Sequence, residues 1–170
     1  MRDSRQSAIE PRSRRWAGFL FWLGVTAVAA ALGALASANA ASFYSLLTKP
    51  TWAPPPQVFG PVWTVLYILM AVAAWLVWSR GGTRARAVPL ALYIVQLGLN
   101  GLWTWLFFRW RLGEWASAEI TVLWLALLLT VIGFWRVRAA AGVLLLPYWA
   151  WVTFAAALTI AIWQMNPGLL

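Results

Sequence analysis

The sequence predicts an all-α membrane protein, a five-transmembrane-helix up-and-down bundle. Composition gives the first reason. Of 170 residues, 63% are hydrophobic and 10% are charged, against roughly 45–50% and 25% for soluble domains. That much apolar surface must face lipid. The second reason is its distribution: five apolar stretches each reach the ~20 residues a helix needs to span a bilayer core. They cover about residues 16–38, 59–78, 87–108, 115–135 and 141–163. In lipid the backbone polar groups must be paired within each segment, so these stretches are helices.

The first stretch is rich in Ala and Gly. The fifth contains Pro147, which removes one backbone hydrogen bond and is expected to bend the helix. Connections are short, so consecutive helices run antiparallel. Residues 16–165 form one domain, and residues 1–15 read as a disordered basic extension meeting anionic lipid. Ser13, Arg14 and Arg15 followed by Ala38, Asn39 and Ala40 resemble a cleavable signal. However, the intervening apolar run exceeds the 7–15 residues usual for one, so an uncleaved first helix is expected.

The net charge is +9, with Asp3, Glu10, Glu114 and Glu119 the only acids. The positive charges lie at span ends, not on one face of a soluble domain, which argues against nucleic acid. One side of the membrane receives Arg2, Arg5, Arg12, Arg14, Arg15, Arg80, Arg84, Arg86, Arg136 and Arg138. The other receives Lys49, Arg109 and Arg111. The positive-inside rule then puts the N-terminus in the cytoplasm and the C-terminus outside, in a bacterial inner membrane.

The chain has no Cys and no His, which removes thiol chemistry, His-ligated metals and His bases. No metal and no obligatory cofactor are expected. Glu119 is the only carboxylate near a span interior. It is expected to pair with Arg109, Arg111 or a lipid head group. An ion-coupled transporter usually carries an ionisable group near the midplane, so that class is disfavoured.

Fifteen Trp are present. An aromatic belt at the membrane interface accounts for Trp16, Trp78, Trp110, Trp115, Trp135 and Trp163. It does not account for Trp63, Trp103, Trp105, Trp124, Trp149 and Trp151, which fall inside the spans. Helical spacing places Gln96, Asn100, Trp103 and Phe107 on one face, Trp63, Tyr67 and Met70 on another, and Tyr148, Trp151 and Ala155 on a third. Wide rings with few polar groups are what a ligand pocket requires. Plain helix packing, with Gln96 and Asn100 bonding between helices, requires the same residues. Between the first two spans, Pro50, Pro54, Pro55 and Pro56 interleave with Phe43, Tyr44, Trp52 and Phe59. This stiff, partly apolar loop is expected to fold over the bundle mouth as a lid.

Four stretches occur in an informative order: KPTWAPP at 49–55, VWTVLY at 62–67, NGLWTWLFF at 100–108 and PYWAW at 147–151. Together they resemble the TspO/MBR family of tryptophan-rich sensory or translocator proteins. The resemblance covers about residues 40–165. It implies a five-helix bundle, commonly a homodimer, with a cavity beneath the first loop. It implies porphyrin ligands, chiefly protoporphyrin IX, and a link to tetrapyrrole regulation or light-dependent porphyrin breakdown. By position the family's pocket maps onto Tyr44, Trp52, Trp63, Asn100, Trp103, Trp151 and Ala155. The sterol motif of eukaryotic members is missing: residues 157–166 contain neither Tyr nor a basic residue. Gly98 and Gly101 form no Gly-x-x-x-Gly, so the dimer face stays open.

The expected function is an integral membrane porphyrin-binding sensor or regulator. The alternative is a passive facilitator that moves porphyrins or other amphipathic molecules. Without His or Cys, iron ligation is expected to be weak. If chemistry occurs, Trp103 and Trp151 are the expected electron donors to a photo-excited porphyrin, facing each other across the pocket.

Overall fold

The computed structural model describes residues 12–80 and 83–170. Its helices are α1 (Arg12–Ala36), α2 (Ala40–Leu46), α3 (Phe59–Trp78), α4 (Thr83–Thr104), α5 (Gly113–Val137) and α6 (Ala139–Met165). All except α2 are long and apolar enough to cross a membrane. They close into a ring in the order α1, α3, α6, α5, α4 and back to α1. Helices α3 and α4, consecutive in sequence, are not ring neighbours and touch across the ring.

The bundle is apolar outside and partly polar inside. Leu20, Leu32, Leu35, Val65, Ile68 and Val95 are exposed, whereas Thr26, Gln96, Asn100, Glu119, Thr130 and Thr159 are buried. A protein in water sorts these classes the other way. Lipid removes the penalty on exposed Leu and Val and leaves the interior as the only place for polar groups to pair. One such pair links α1 to α4. Thr26 Oγ1 donates to the Trp22 carbonyl at 2.7 Å, which uses its only proton. The 2.6 Å contact between Thr26 Oγ1 and Tyr93 Oη is therefore donated by Tyr93.

Several boundaries differ from those predicted. Helix α1 begins at Arg12, so residues 12–15 are helical and not part of a disordered extension. Arginine has high helix propensity, and its long side chain can keep its charge at the interface while the backbone stays helical. The remainder of that extension, residues 1–11, lies outside the described residues. Helix α4 begins at Thr83 and not 87, again through an Arg-containing first turn. The first loop is not wholly extended: AASFYSL forms α2, which buries Phe43 and Tyr44. Past Thr104 the chain makes a π-helical turn, Trp105–Arg109, a form common at functional sites. Helix α6 continues through Pro147, whose exposed ring sits on the lipid side.

Glu119 is the clearest correction. It is buried, and neither carboxylate oxygen has a hydrogen-bond partner. It therefore pairs with neither Arg109 nor Arg111, nor with a head group. The reason is helical phase: Glu119 shares the inward face of α5 with Ala116, Ile120 and Leu123. Arg111 instead lies over the Phe43 ring, 4.8 Å from its centroid.

Candidate functional site

A cavity of about 650 Å³ lies between α1, α2, α3 and the end of α4. Helix α1 makes the space by presenting small residues at helical spacing, Ala27, Ala30, Gly33 and Ala34, with Ser37 just past its end. Helix α3 supplies Trp63, Tyr67 and Ile68. Helix α4 supplies Trp103 and Thr104, and its π-helical turn adds Phe108. Tyr44 of α2, with Pro56 and Phe59, forms the rim beneath the first loop.

The rings of this wall are held by further rings behind them. Trp103 stacks on Phe107 at 5.7 Å and meets Phe108 edge-on at 5.8 Å. Trp63 lies 5.5 Å from Tyr67 and 6.0 Å from Tyr148. Phe59 is braced by Tyr44 at 5.6 Å and Trp151 at 5.9 Å. Such offset and edge-on pairs fix ring orientation beyond what burial alone does.

The polar content of the wall is specific. Among the described residues, no charged side chain lines it. Its hydroxyls belong to Thr26, Ser37, Tyr44, Thr64, Tyr67 and Thr104, and each donates its proton back to the chain. Ser37 bonds Gly33 O and Thr64 bonds Gly60 O, both at 2.9 Å. Thr104 bonds Asn100 O at 3.0 Å, and Thr26 bonds Trp22 O. Tyr44 bonds Pro54 O at 3.1 Å, and Tyr67 bonds Asn100 Oδ1 at 2.8 Å. These oxygens offer only lone pairs to a guest. The donors left on the wall are indole N–H groups: Trp103 Nε1 is buried without a partner, and no hydrogen bond is formed by Trp63 Nε1 among the described residues.

The loop above is fastened from two sides. Lys49 Nζ donates to the carbonyls of Tyr44 and Leu47, each at 2.8 Å, and sits 4.9 Å from the Tyr44 ring centroid. At the end of α6, Asn166 accepts from Thr48 N at 2.8 Å, and its amide donates to Thr48 O at 2.8 Å and Ile162 O at 2.7 Å. Burial pushes the Tyr44 hydroxyl above its ordinary value of 10.0, so it stays protonated and keeps its bond to Pro54 throughout the physiological range.

Of the residues predicted from sequence, Tyr44, Trp63, Tyr67 and Trp103 line the cavity. Asn100, Phe107, Tyr148 and Trp151 stand one layer behind it. Gln96 and Ala155 are buried elsewhere in the core, and both polar ends of Gln96 lack partners. Trp52 is half exposed, 5.7 Å from Phe154. Trp103 and Trp151 thus do not face each other across the cavity, because Phe59 intervenes on the α6 side. Trp124 and Trp149, 5.2 Å apart, close the α5–α6 seam instead. Sequence reasoning missed the α1 stripe, Phe59 and Phe108.

The sequence profile of the TspO/MBR family matches residues 21–164. This chain belongs to the TspO/MBR family. Among similar proteins, CrtK of Rhodobacter capsulatus is 37% identical over 88% of this chain and 93% of its own length. A tryptophan-rich sensory protein of Cereibacter sphaeroides is 38% identical over 89% and 92%. The human translocator protein is 39% identical over 74% and 76%. As a TspO/MBR protein with five apolar spans, the chain is an integral membrane protein. All four sequence stretches that carried the resemblance fall within the matched region. The α1 stripe is also inside it, so the helix that hollows the cavity belongs to the family domain.

Proposed function

We propose that this TspO/MBR protein binds a flat tetrapyrrole, protoporphyrin IX, in the α1–α4 cavity and serves as a membrane sensor or regulator of it. One observation carries the reading. The cavity is walled by braced aromatic rings, is free of charge, and has every hydroxyl proton already engaged. Flat apolar walls favour a flat aromatic guest, and a volume of about 650 Å³ falls in the ~300–1,000 Å³ range of small-molecule sites. The indole N–H groups of the wall suit acceptors on the edge of such a ring. The names of the bacterial and human relatives, a sensory protein and a translocator protein, support the class of role.

Protoporphyrin IX is the ligand in this proposal, and no metal or obligatory cofactor belongs to it. The Arg-rich end of the bundle faces the cytoplasm, by the positive-inside rule, and the working unit is a homodimer, as family resemblance implies. A comparison of metal-free and iron porphyrin tests the site. Metal-free protoporphyrin IX is expected to bind at least as tightly as haem, because among the described residues the cavity wall offers no His, Cys or Met, and its two tyrosine hydroxyls are protonated and committed to Pro54 O and Asn100 Oδ1. A haem absorption spectrum with clear axial ligation, coupled to tighter haem binding, would contradict the proposal.

A further inference from the structure

The end of the bundle far from the first loop carries a separate groove of about 700 Å³ between α4 and α5. Its floor is aliphatic: Val88, Pro89 and Leu92 from α4 meet Leu129 and Ile132 from α5. Gly133 sets the close helix approach at its centre, since a Cβ there would stand 3.3 Å from Pro89 Cγ. Arg80 and Arg136 line the same groove, and both are exposed. Arg136 is in the last turn of α5, at the depth where a long basic side chain reaches lipid head groups.

The side chains of these two arginines are uncommitted among the described residues. Arg86 is engaged, donating to Trp78 O and lying over the Trp78 ring at 5.6 Å. Among the described residues, neither the Arg80 nor the Arg136 side chain has an ion pair or hydrogen bond; the Arg80 backbone N–H donates to Val77 O at 3.3 Å. The acids among the described residues, Glu114 and Glu119, sit near the opposite end of α5. From Arg136 the groove runs to Leu129, about 10 Å along the helix axis at 1.5 Å per residue.

We propose that this groove binds an anionic glycerophospholipid. Its phosphate sits between Arg80 and Arg136, and one acyl chain lies along Leu92, Leu129 and Ile132. Charge and shape together select this occupant. A basic rim at interface depth above an aliphatic channel matches an anionic head on a hydrocarbon tail. The floor has no aromatic ring for a flat tetrapyrrole to stack on. A second copy, held in the same membrane orientation, presents the acids among its described residues, Glu114 and Glu119, at the opposite end from these arginines.

The test is native mass spectrometry of the full chain, released from detergent carrying either palmitoyl-oleoyl phosphatidylglycerol or phosphatidylcholine. The wild type is expected to retain phosphatidylglycerol with roughly 25-fold preference, each arginine contributing about fivefold. Arg80→Gln with Arg136→Gln is expected to remove that preference. Ala85→Trp, which occupies the groove, is expected to reduce retention of both lipids. Unchanged thermal melting serves as the folding control, since the altered side chains are exposed. Equal retention of the two lipids by the wild type would overturn the proposal, as would an undiminished preference in the double variant. Loss of a dimer in the double variant, with phosphatidylglycerol retention unchanged, would assign the groove to a second copy and also overturn it.

Discussion

Replacing Asn166 by Ala tests whether the first loop is a fastened lid. The side chain makes two hydrogen bonds to Thr48, both at 2.8 Å, and Asn166 is buried. A net contribution of about 1 kcal/mol per bond gives about 2 kcal/mol holding the loop to α6. Its loss shifts the open-to-closed ratio by roughly 30-fold. The Thr48 amide reports this directly, because its N–H is one of the two groups released. Hydrogen exchange at Thr48 is expected to accelerate by that factor, while amides in the middle of α5 stay protected. Dissociation of protoporphyrin IX is expected to accelerate in the same direction, up to the same factor, if the loop gates the cavity. Unchanged exchange at Thr48 would refute the clasp, and faster exchange with unchanged dissociation would refute the gating.

Other substitutions probe the wall. Tyr67→Phe strands Asn100 Oδ1, whose amide nitrogen already lacks a partner, and is expected to lower stability by about 1–2 kcal/mol. Adding Asn100→Leu to Tyr67→Phe is expected to recover part of that loss, measured by thermal melting. Ala30→Phe grows into the hollow opposite the aromatic wall; saturable protoporphyrin IX binding is expected to vanish while melting holds or rises, because the ring fills existing space. Illumination of the bound complex separates the two proposed electron donors. Trp103→Phe is expected to slow light-driven porphyrin loss more than Trp151→Phe does, since Trp103 lines the cavity and Trp151 is screened by Phe59; absorbance decay under constant light reads the difference.

The bundle was legible because a bilayer imposes a length on every span, and five runs met it. The aromatic half of the site was legible for a related reason. Tyr44, Trp63, Tyr67 and Trp103 are rings in unusual places, and helical spacing groups those on the spans. The other half was not, because α1 contributes by what it lacks. Ala27, Ala30, Gly33 and Ala34 form the hollow, and an Ala/Gly-rich span reads first as ordinary membrane helix. Their recurrence at intervals of three and four, ending at Ser37, is the signal that identifies the face. Trp151 falls one layer back because Phe59, read only as part of the loop, enters the rim. Glu119 was misread from its closeness to a helix end, where its phase on α5 decides that it points inward. The short helix α2 was hidden by the prolines that follow it.

Tryptophan fluorescence during titration with protoporphyrin IX, in the wild type and in Trp63→Phe with Trp103→Phe, tests the central claim most directly. The account predicts saturable quenching, with affinity lowered in that pair and unchanged in Trp124→Phe, whose indole bonds Thr153 Oγ1 at the α5–α6 seam. Linear quenching that is the same in all three proteins would mean partition into detergent and would contradict it.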